Sequence, residues 1–531
     1  MKVRGCDTQV DSTLLARVNA ECHGKLCTYR NGQSHKTRVY TVVPGLSPTH
    51  NLGVYNNSVS SVERAFVERY FMCKTPTGFR PALPVSKKTY DSKWLKDFRS
   101  RVLSFLPNLP VLTLTQCVSL FPVSKRKVYE AAKESLEKEK LTARDASLSS
   151  FVKFEKQDVG KAPRIINPRS ARYNLSLGCF LKHLEHHIFK AINKAFGART
   201  KATVIKGFDA DESAEILNSK WNLFKDPVAV GLDATKFDMH VSPVALKYEH
   251  SFYTGYWRGF RCPAFLRRFL RWLLSLQLLN RGVSRCDDGK VKFEMKGTRC
   301  SGDVNTSLGN CIIMCALVFA FAKERGVDIE LCNNGDDCVV FMERSDLERF
   351  SRGLNDWFNR YGFELTIEAP CYMLEEVEFC QTHPVHLSTG WRMVRDFRTV
   401  LKKDTMCLRP MTNIKSFRKW MHAVGSGGSQ LCSGTPVLME FYNMMTRNGT
   451  ASCQFHDVSP YRFARNSKLK ATMCDEARIS FFHAFGVLPH MQVFMERYLS
   501  KVVIDDFSGL IVDRSDYDKF HHPGNEILTQ W

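Results

Sequence analysis

The sequence predicts an α+β fold in which helices cover one face of an antiparallel sheet. Its central part has the order strand, helix, helix, hairpin, which is typical of this class. Hydrophobic residues make up 44% and charged residues 24% of the chain, as in folded globular proteins. The chain has 531 residues, which is too long for one simple core, so we expect two to four subdomains.

Local patterns indicate the first central strand and the helix that follows it. Residues 228–232 form a short apolar run, which is typical of a strand. Ser242 and Pro243 predict the start of a helix, because Ser is a favourable N-cap and Pro is favourable in the first turn. Asp233 ends the apolar run, so its carboxylate is expected at the edge of the sheet.

The next helix and a hairpin complete the central part. Residues 306–322 predict a helix with a largely apolar surface, which should therefore be buried. Residues 328–332 and 338–341 predict two strands around a tight turn. Gly335 can supply the positive φ that such a turn requires.

The flanking regions give weaker patterns. Residues 1–50 show no strong periodicity and predict an extension whose order the pattern does not define. Residues 61–71 and 125–140 have helical spacing, whereas 151–166 predict an extended segment. From about residue 401 the pattern is mixed and mostly helical, which indicates a separate subdomain.

The charge balance points to a polyanionic partner. The formal net charge is +22, although a basic protein that is merely soluble would have the same composition. Residues 258–285 carry seven arginines among aromatic and aliphatic side chains. They predict an amphipathic basic helix, suited to a polyanion or, as a rival interpretation, to a membrane surface.

The cysteines and apolar runs bear on the compartment. The 19 cysteines show no regular framework, so we expect free thiols in a reducing compartment. No secretory signal is visible at the start. The longest apolar run, residues 311–322, has 12 residues and is too short to span a bilayer. We therefore expect no intrinsic transmembrane segment, and a partner would have to tether the chain to any membrane.

Two acidic segments carry the first part of the candidate chemistry. Asp233 and Asp238 lie at and beyond the end of the predicted strand, and magnesium prefers hard oxygen ligands of this kind. Asp336 and Asp337 follow Gly335 at the hairpin tip, where a bound cation would relieve their mutual repulsion. Each segment alone is also compatible with an ordinary polar turn.

A third segment lies between these two. Ser301 and Gly302 form a flexible lead-in to a helix, and Thr306 and Asn310 share one face of it because they are four residues apart. A hydroxyl and an amide on one face can bind a sugar hydroxyl, although helix capping by Thr306 is a simpler explanation. The three segments occur in this order within about 105 residues, which makes coincidence improbable.

These segments resemble motifs A, B and C of viral RNA-dependent RNA polymerases. The stretches SGDVNTSLGN and CNNGDDC are similar to those of the tombusvirus family, including its carmovirus-like and luteovirus-like members. Residues 151–169 resemble motif F, and residues 362–368 and 378–381 resemble motifs D and E. The resemblance covers about residues 50–404.

The resemblance implies an RNA-dependent RNA polymerase that uses two magnesium (or manganese) ions. Asp233 and Asp336 would hold the metal ions, and Asp337 would assist as a less direct ligand. Asp238 would accept a hydrogen bond from the ribose 2′-hydroxyl of an NTP. The following residues would complete NTP recognition: Ser301, Thr306 and Asn310 beside the ribose, and Arg164, Lys153, Lys156, Lys161 and Arg169 on the triphosphate. For Lys161, a plain solvated charge is an equally good interpretation.

The resemblance also implies a right hand of fingers, palm and thumb, with an antiparallel-sheet palm backed by helices. Its expected divisions are 1–50 as an N-terminal extension, 51–224 as fingers with motif F, 225–250 as palm with motif A, 251–294 as a fingers insertion, 295–400 as palm with motifs B to E, and 401–531 as thumb. Arg199, Lys201 and Lys206 would line the template and product channels together with the basic helix.

The implied partners are the RNA template and product, NTPs, and a membrane-anchored auxiliary viral replicase protein. The implied location is the host cytoplasm, on membrane-associated replication complexes. Residues 365–367 lack the motif D lysine of many relatives, so no general acid is assigned. A zinc site at Cys371, Cys380, His383 and His386 is disfavoured, because the family uses this region as loop and strand. A reverse transcriptase-like polymerase and a non-catalytic RNA-binding replication factor are the alternatives.

Overall fold

The computed structural model describes residues 2–22, 24–43, 51–259, 262–452 and 470–504, and the backbone of 510–512. The helices, numbered α1 to α19, are Ser12–Glu21, Val59–Phe66, Lys93–Ser104, Leu114–Ser119, Val123–Lys138, Ala171–Leu181, Glu185–Ala195, Ala210–Trp221, Phe237–His240, Pro243–Tyr256, Ala264–Ser275, Thr306–Arg325, Leu347–Ser351, Leu354–Arg360, Phe397–Asp404, Ile414–Leu431, Leu438–Arg447, Asp475–Phe485 and Pro489–Lys501. The strands, numbered β1 to β20, are Lys2–Arg4, Gly24–Arg30, Val39–Val42, Leu52–Gly53, Met72–Thr75, Gly78–Pro81, Leu148–Val152, Gln157–Asp158, Ile165–Ile166, Pro227–Ala234, Leu279–Cys286, Gly289–Lys296, Glu330–Asn334, Asp337–Glu343, Leu365–Ile367, Thr382–Leu387, Gly390–Arg395, Met406–Cys407, Val502–Ile504 and Leu510–Val512.

A four-stranded antiparallel sheet lies at the centre of the fold, with the strand order β13–β14–β10–β15. In its register Leu232 of β10 is opposite Cys338 of β14, and Asn334 of β13 is opposite Asp337. The turn between β13 and β14 therefore consists of Gly335 and its neighbour, and Gly335 has a φ of 95°. The predicted strand and hairpin are both confirmed.

Apolar side chains cover both faces of this sheet. Val230 and Leu232 belong to the large core that also contains helix α12. Ala229 and Val339 point the other way, into a second core with Leu217 of α8. The prediction that helices cover one face only is therefore wrong. The run of consecutive apolar residues in β10 is the physical reason, because a strand buried on both faces does not alternate with polar residues.

Helix α12 is the buried helix that the sequence predicts. It begins at Thr306 and ends at Arg325, where Gly326 adopts the left-handed conformation with a φ of 64°. Among the described residues it is the one helix long and apolar enough to cross a membrane, and 83% of its most apolar window is buried in the protein. Such burial is that of a core helix.

The first 50 residues are not a separate extension in their described part. Strand β2 joins the five-stranded sheet β2–β12–β11–β7–β9, where Leu26 is opposite Phe293. Strand β3 joins β1 and β18, so that Thr41 is opposite Cys407. The sequence prediction is wrong here because both pairings are with strands far along the chain, which local periodicity does not register.

The basic segment 258–285 is not one helix. Helix α11 covers only Ala264–Ser275, and residues 279–286 form strand β11, which pairs with β12 along its whole length. Arg281 of this strand forms an ion pair with Glu294 of β12 at 2.7 Å. Helical spacing therefore ends where the alternation of buried and exposed residues in β11 begins.

The C-terminal part contributes to an apolar core that also includes residues before the expected boundary at residue 401. Helices α15 to α19 and strands β16 and β17 contribute to one apolar cluster that includes Phe397, Trp420, Tyr442 and Phe481. Val43, which directly follows β3, also belongs to this cluster. The N-terminal residues therefore contact the C-terminal core as well as the five-stranded sheet.

Candidate active site

Three aspartates converge at one end of the central sheet. Asp233 follows Leu232 in β10, and Asp337 precedes Cys338 in β14, so the two aspartates lie beside each other across neighbouring strands. Asp336 occupies the adjacent hairpin turn. The structure thus brings together residues that are far apart in the sequence, as the motifs predict.

The electrostatics of the three carboxylates agree with this proximity. The pKa of Asp233 is raised by desolvation and then by the negative charge of Asp336, while the ammonium group of Lys161 lowers it. The pKa of Asp337 is raised to about 6, first by desolvation and then by Asp336. A divalent cation would stabilise the charged forms of such a cluster, and hard carboxylate oxygens suit magnesium or manganese. The donor set therefore fits the implied metal ions.

Asp238 lies on the short helix α9, next to the cluster. Its pKa is raised to about 6 by burial and by Asp336, against the lowering effects of Arg299 and Asn310. The amide Nδ2 of Asn310 donates a hydrogen bond to Asp238 Oδ1 at 3.4 Å. The predicted pairing of Asp238 with the α12 face that carries Asn310 is therefore present.

A buried ion pair behind Asn310 was not predicted from the sequence. Arg299 Nε donates to Asn310 Oδ1 at 2.9 Å, and its Nη2 donates to the carboxylate of Glu249 on α10. The side chains of Arg299 and Glu249 are 1% and 0% exposed. Glu249 also accepts hydrogen bonds from Asn305 Nδ2 at 2.8 Å and from Tyr253 Oη at 2.7 Å. The one available signal was a lone glutamate on an otherwise largely aromatic and apolar helix.

This ion pair fixes the orientation of the Asn310 amide. Because Arg299 donates to Oδ1, the Nδ2 group of Asn310 is the one that faces Asp238. The backbone N–H of Arg299 also donates to the Asp238 carbonyl at 2.8 Å. A single arginine therefore positions both residues that are expected beside the ribose.

The loop before α12 is anchored rather than flexible. Thr306 Oγ1 donates to the Cys300 carbonyl at 2.6 Å, so its hydroxyl stabilises the loop, and Ser301 Oγ donates to the Ile165 carbonyl at 3.4 Å. Asn174 Nδ2 donates to the Gly302 carbonyl at 3.3 Å. A Cβ atom at Gly302 would collide with the backbone of Pro168, so only glycine permits this approach.

Arg169 does not lie where a triphosphate contact would require it. Its guanidinium is 1% exposed and forms an ion pair with Asp303 at 2.5 Å. It also donates to the Ala146 carbonyl at 2.6 Å and to the side chain of Asn280. The assignment of Arg169 to the triphosphate is therefore wrong. The arginine stabilises the Ser301–Asp303 loop from behind.

Lys156 is likewise directed away from the carboxylates. Its ammonium group donates to the Lys403 carbonyl, and burial lowers its pKa while Asp404 and Cys407 oppose that effect. The assignment of Lys156 to the triphosphate is wrong in this structure, because its charge is used in a contact with the end of α15.

Arg164 and Lys161 remain beside the site, and the N–H of Lys153 donates to the Arg164 carbonyl at 2.8 Å. Lys153 and Arg164 both contact Glu155, at 2.5 Å and 3.5 Å, and the Arg164 side chain is 57% exposed. The charge of Arg164 lowers the pKa of Asp238, as that of Lys161 does for Asp233. Because Lys161 lowers the pKa of Asp233, the interpretation that Lys161 lies beside the carboxylates is favoured over that of a solvated surface charge.

The three predicted channel cations differ in their surroundings. Arg199 forms ion pairs with Asp328 and Glu330, both at 2.7 Å, so it stabilises the start of β13. Lys201 forms an ion pair with Glu212 at 2.9 Å. Lys206 Nζ donates to Asn334 Oδ1 at 2.7 Å, next to the hairpin tip. Lys206 is the one of the three that adjoins the carboxylate cluster.

Glu368 adjoins the site at the end of β15, in the region that resembles motif D. Its N–H donates to the Gly231 carbonyl at 3.0 Å, and its carboxylate covers Gly231, where a Cβ atom would collide with it. Its pKa is raised by burial and then by Glu378, Asp233 and Asp337. The sequence contained no signal for this contact, because it depends on the register between β10 and β15.

Clustered carboxylates at a sheet end, with an Asp–Asn pair and basic side chains beside them, are the features of a two-metal nucleotidyltransferase site. The family profile described as "Viral RNA dependent RNA polymerase" matches residues 26–505. The chain belongs to this family of viral RNA-dependent RNA polymerases. The resemblance drawn from the motifs is confirmed.

Individual relatives agree with the family match. The RNA-directed RNA polymerase of Oat chlorotic stunt virus (isolate United Kingdom) is 39% identical over 503 residues, covering 88% of this chain and 65% of the relative. That of Tobacco necrosis virus (strain A) is 37% identical over 502 residues, covering 91% and 67%. That of Tomato bushy stunt virus (strain Cherry) is 36% identical over 484 residues, covering 90% and 58%. The chain thus spans about three fifths to two thirds of the length of these relatives.

Proposed function

We propose that the chain is the catalytic part of a positive-strand RNA virus replicase, which joins NTPs on an RNA template. The observation that carries this proposal is the convergence of Asp233, Asp336 and Asp337 at one end of the central sheet. Membership of the polymerase family supports the same function.

Asp233 and Asp336 would hold two magnesium or manganese ions, with Asp337 as a less direct ligand. When bound, these ions would activate the primer 3′-hydroxyl and neutralise the triphosphate and its leaving group. Strands β10 and β14 carry Asp233 and Asp337, and Asp336 lies in the tight turn directly before β14, which favours a fixed ligand geometry.

Selection of ribonucleotides is assigned to Asp238 and Asn310. The Asp238 carboxylate accepts a hydrogen bond from the ribose 2′-hydroxyl, and the Asn310 amide donates beside it. Arg299 acts through these two residues as a positioning residue, since its guanidinium and N–H contact them both. A deoxyribose lacks the hydroxyl that would donate to the Asp238 carboxylate, and the loss of this hydrogen bond would disfavour a dNTP.

The triphosphate is assigned to Arg164, Lys153 and Lys161. Glu155 contacts Arg164 and Lys153, so the triphosphate would compete with this carboxylate for the two cations. Arginine can bind two phosphate oxygens at once, which makes Arg164 the strongest of these contacts.

The right-hand layout is part of the proposal. The four-stranded sheet would be the palm, the five-stranded sheet with motif F would belong to the fingers, and the C-terminal core would be the thumb. RNA template and product would lie along a basic surface formed by the exposed arginines of α11, Arg268 and Arg271. A membrane-anchored auxiliary viral protein would hold the complex on membranes in the host cytoplasm.

The test is metal-dependent synthesis on an RNA template by the full chain. We expect product with magnesium or manganese for the wild type, and none above background for Asp233→Ala or Asp336→Ala. Asp226→Ala is the matched control, because Asp226 immediately precedes the opposite end of β10. If Asp336→Ala made as much product as the wild type, the chain would be a non-catalytic factor. If the wild type used dNTPs as well as NTPs, it would be a reverse transcriptase-like enzyme.

A further inference from the structure

We propose that Cys73, His240 and Glu364 form a second metal site, for zinc or a similar divalent transition-metal ion. Among the described residues, these three form the one group of His, Cys, Asp or Glu side chains with this geometry. Their ligand atoms all lie within 4.8 Å of one another. A thiolate, an imidazole and a carboxylate are the ligand types that zinc prefers.

The distance between the first two ligand atoms fits one metal ion. Cys73 Sγ lies 3.5 Å from His240 Nε2. A tetrahedral zinc ion with ordinary zinc–sulfur and zinc–nitrogen bonds would separate these two atoms by about 3.5 Å. Glu364 offers a carboxylate oxygen within 4.8 Å of both atoms, and water would complete the coordination.

The histidine ring is held as a metal ligand requires. Its Nδ1 atom lies 3.0 Å from the Thr235 carbonyl and 3.3 Å from the Lys236 carbonyl, so Nδ1 carries the proton. The lone pair of Nε2 is therefore directed at Cys73. Metal-bound histidines are oriented by such hydrogen bonds from the second ring nitrogen to a backbone carbonyl.

The carboxylate is oriented in a similar way. Arg80 Nη2 donates to Glu364 Oε2 at 2.9 Å, which leaves Oε1 to serve as the metal ligand. Ligating carboxylates commonly keep a hydrogen bond on the other oxygen. The thiolate and the carboxylate together would neutralise the charge of a divalent ion, and the remaining positive charge beside Cys73 comes from Arg80 and Lys236.

The site would join three segments that lie far apart in the sequence. Cys73 belongs to β5, His240 ends α9, and Glu364 directly precedes β15. Asp238 lies on α9, two residues before His240. A bound ion would therefore hold α9 against the β5–β6 hairpin and the segment that resembles motif D.

The test measures metal binding on the full chain without RNA or NTP, so it does not depend on the proposed polymerase activity. Apo protein is titrated with cobalt(II) and zinc in excess magnesium, which occupies the active-site carboxylates. We expect the near-ultraviolet absorption of a thiolate–cobalt bond, one tightly bound ion per chain, and a higher Tm with zinc. Cobalt on carboxylates alone does not produce the thiolate band.

Cys73→Ser should abolish the thiolate band and the zinc-dependent rise in Tm. Glu364→Gln is the second variant, for the case that Cys73→Ser does not fold, because glutamine can keep the hydrogen bond from Arg80. It should weaken zinc binding by at least about 10–100-fold, which is the loss that removal of an outer partner alone causes. Cys117→Ser is the control, since this buried thiol lies in a different apolar cluster. Absence of the thiolate band in the wild type, or its persistence in Cys73→Ser, would overturn the proposed metal site. The contact between Cys73 and His240 would then be an ordinary hydrogen bond.

Discussion

Arg299 and Glu249 form a fully buried ion pair directly behind the asparagine that faces Asp238. Arg299 lies in a loop and Glu249 on a helix, 50 positions apart in the sequence. Together they hold the side chains that are expected to bind the ribose. Removing one member would leave a buried charge without its partner, which costs about 3–5 kcal/mol in typical proteins. Substitutions that retain the charge therefore report on positioning rather than on folding.

Arg299→Lys should lower discrimination between NTPs and dNTPs. Lysine keeps the charge beside Glu249 but cannot also donate to Asn310 Oδ1, so the amide loses its fixed orientation. Loss of one such hydrogen bond, worth about 1 kcal/mol, predicts a fall in the ratio of kcat/KM values of about five-fold. The measurement is kcat/KM for each NTP and its dNTP. An equal loss for both substrates would show that Arg299 has only a structural role.

Gly309→Ala should destabilise the protein. A Cβ atom at this position of α12 would collide with Arg299 Nη2 and Glu249 Oε1, neither of which can move freely in the core. Overpacking of this kind costs about 1–3 kcal/mol, measurable as the free energy of unfolding in urea. Ser307→Ala on the same helix is the matched control and should change stability by less than about 0.5 kcal/mol. Unchanged stability for Gly309→Ala would contradict the close packing of the ion pair.

Arg164→Ala and Arg169→Ala should have different effects although both arginines belong to the segment that resembles motif F. Arg164 is exposed beside Asp238, so its loss should raise KM for NTPs and leave the unfolding curve unchanged. Arg169 is buried on Asp303, so its loss should cost about 3–5 kcal/mol of folding stability. Paired measurements of KM and urea unfolding test both. A raised KM with normal stability for Arg169→Ala would support a triphosphate contact after all.

The sequence predicted the site where local patterns carry the information. The end of β10, the glycine turn before Asp336 and the helix that carries Asn310 all depend on residues within a few positions of each other. The assignment of Arg169 to the triphosphate was wrong because its partner, Asp303, lies 134 residues away in the sequence. A buried ion pair of this kind has no local sequence pattern. Strand β2 was not predicted for the same reason, because it pairs with β12, which lies far along the chain.

Asp336→Asn and Asp337→Asn should separate the two hairpin acids. Asp336 raises the pKa of Asp233, Asp238 and Asp337, so it occupies the centre of the negative charge. Asp336→Asn should therefore abolish measurable synthesis. Asp337→Asn, as the loss of a less direct ligand, should reduce activity about 10–100-fold and raise the magnesium concentration needed. The measurement is RNA synthesis by each variant as a function of magnesium concentration. An equal loss of activity in the two variants would contradict the different roles assigned to Asp336 and Asp337.

The exposed arginines of α11 test whether the basic surface binds RNA or a membrane. Arg268 and Arg271 lie on the solvent side of the helix, and neither forms an ion pair within the part of the chain that the structure describes. If both contact phosphates of single-stranded RNA, replacing them with alanine should weaken RNA binding. It should also reduce the slope of log K against log salt by about 0.7 for each phosphate that is no longer neutralised. An unchanged slope, with binding to anionic vesicles abolished instead, would show that α11 faces a membrane, because phosphate neutralisation is what makes RNA affinity depend on salt.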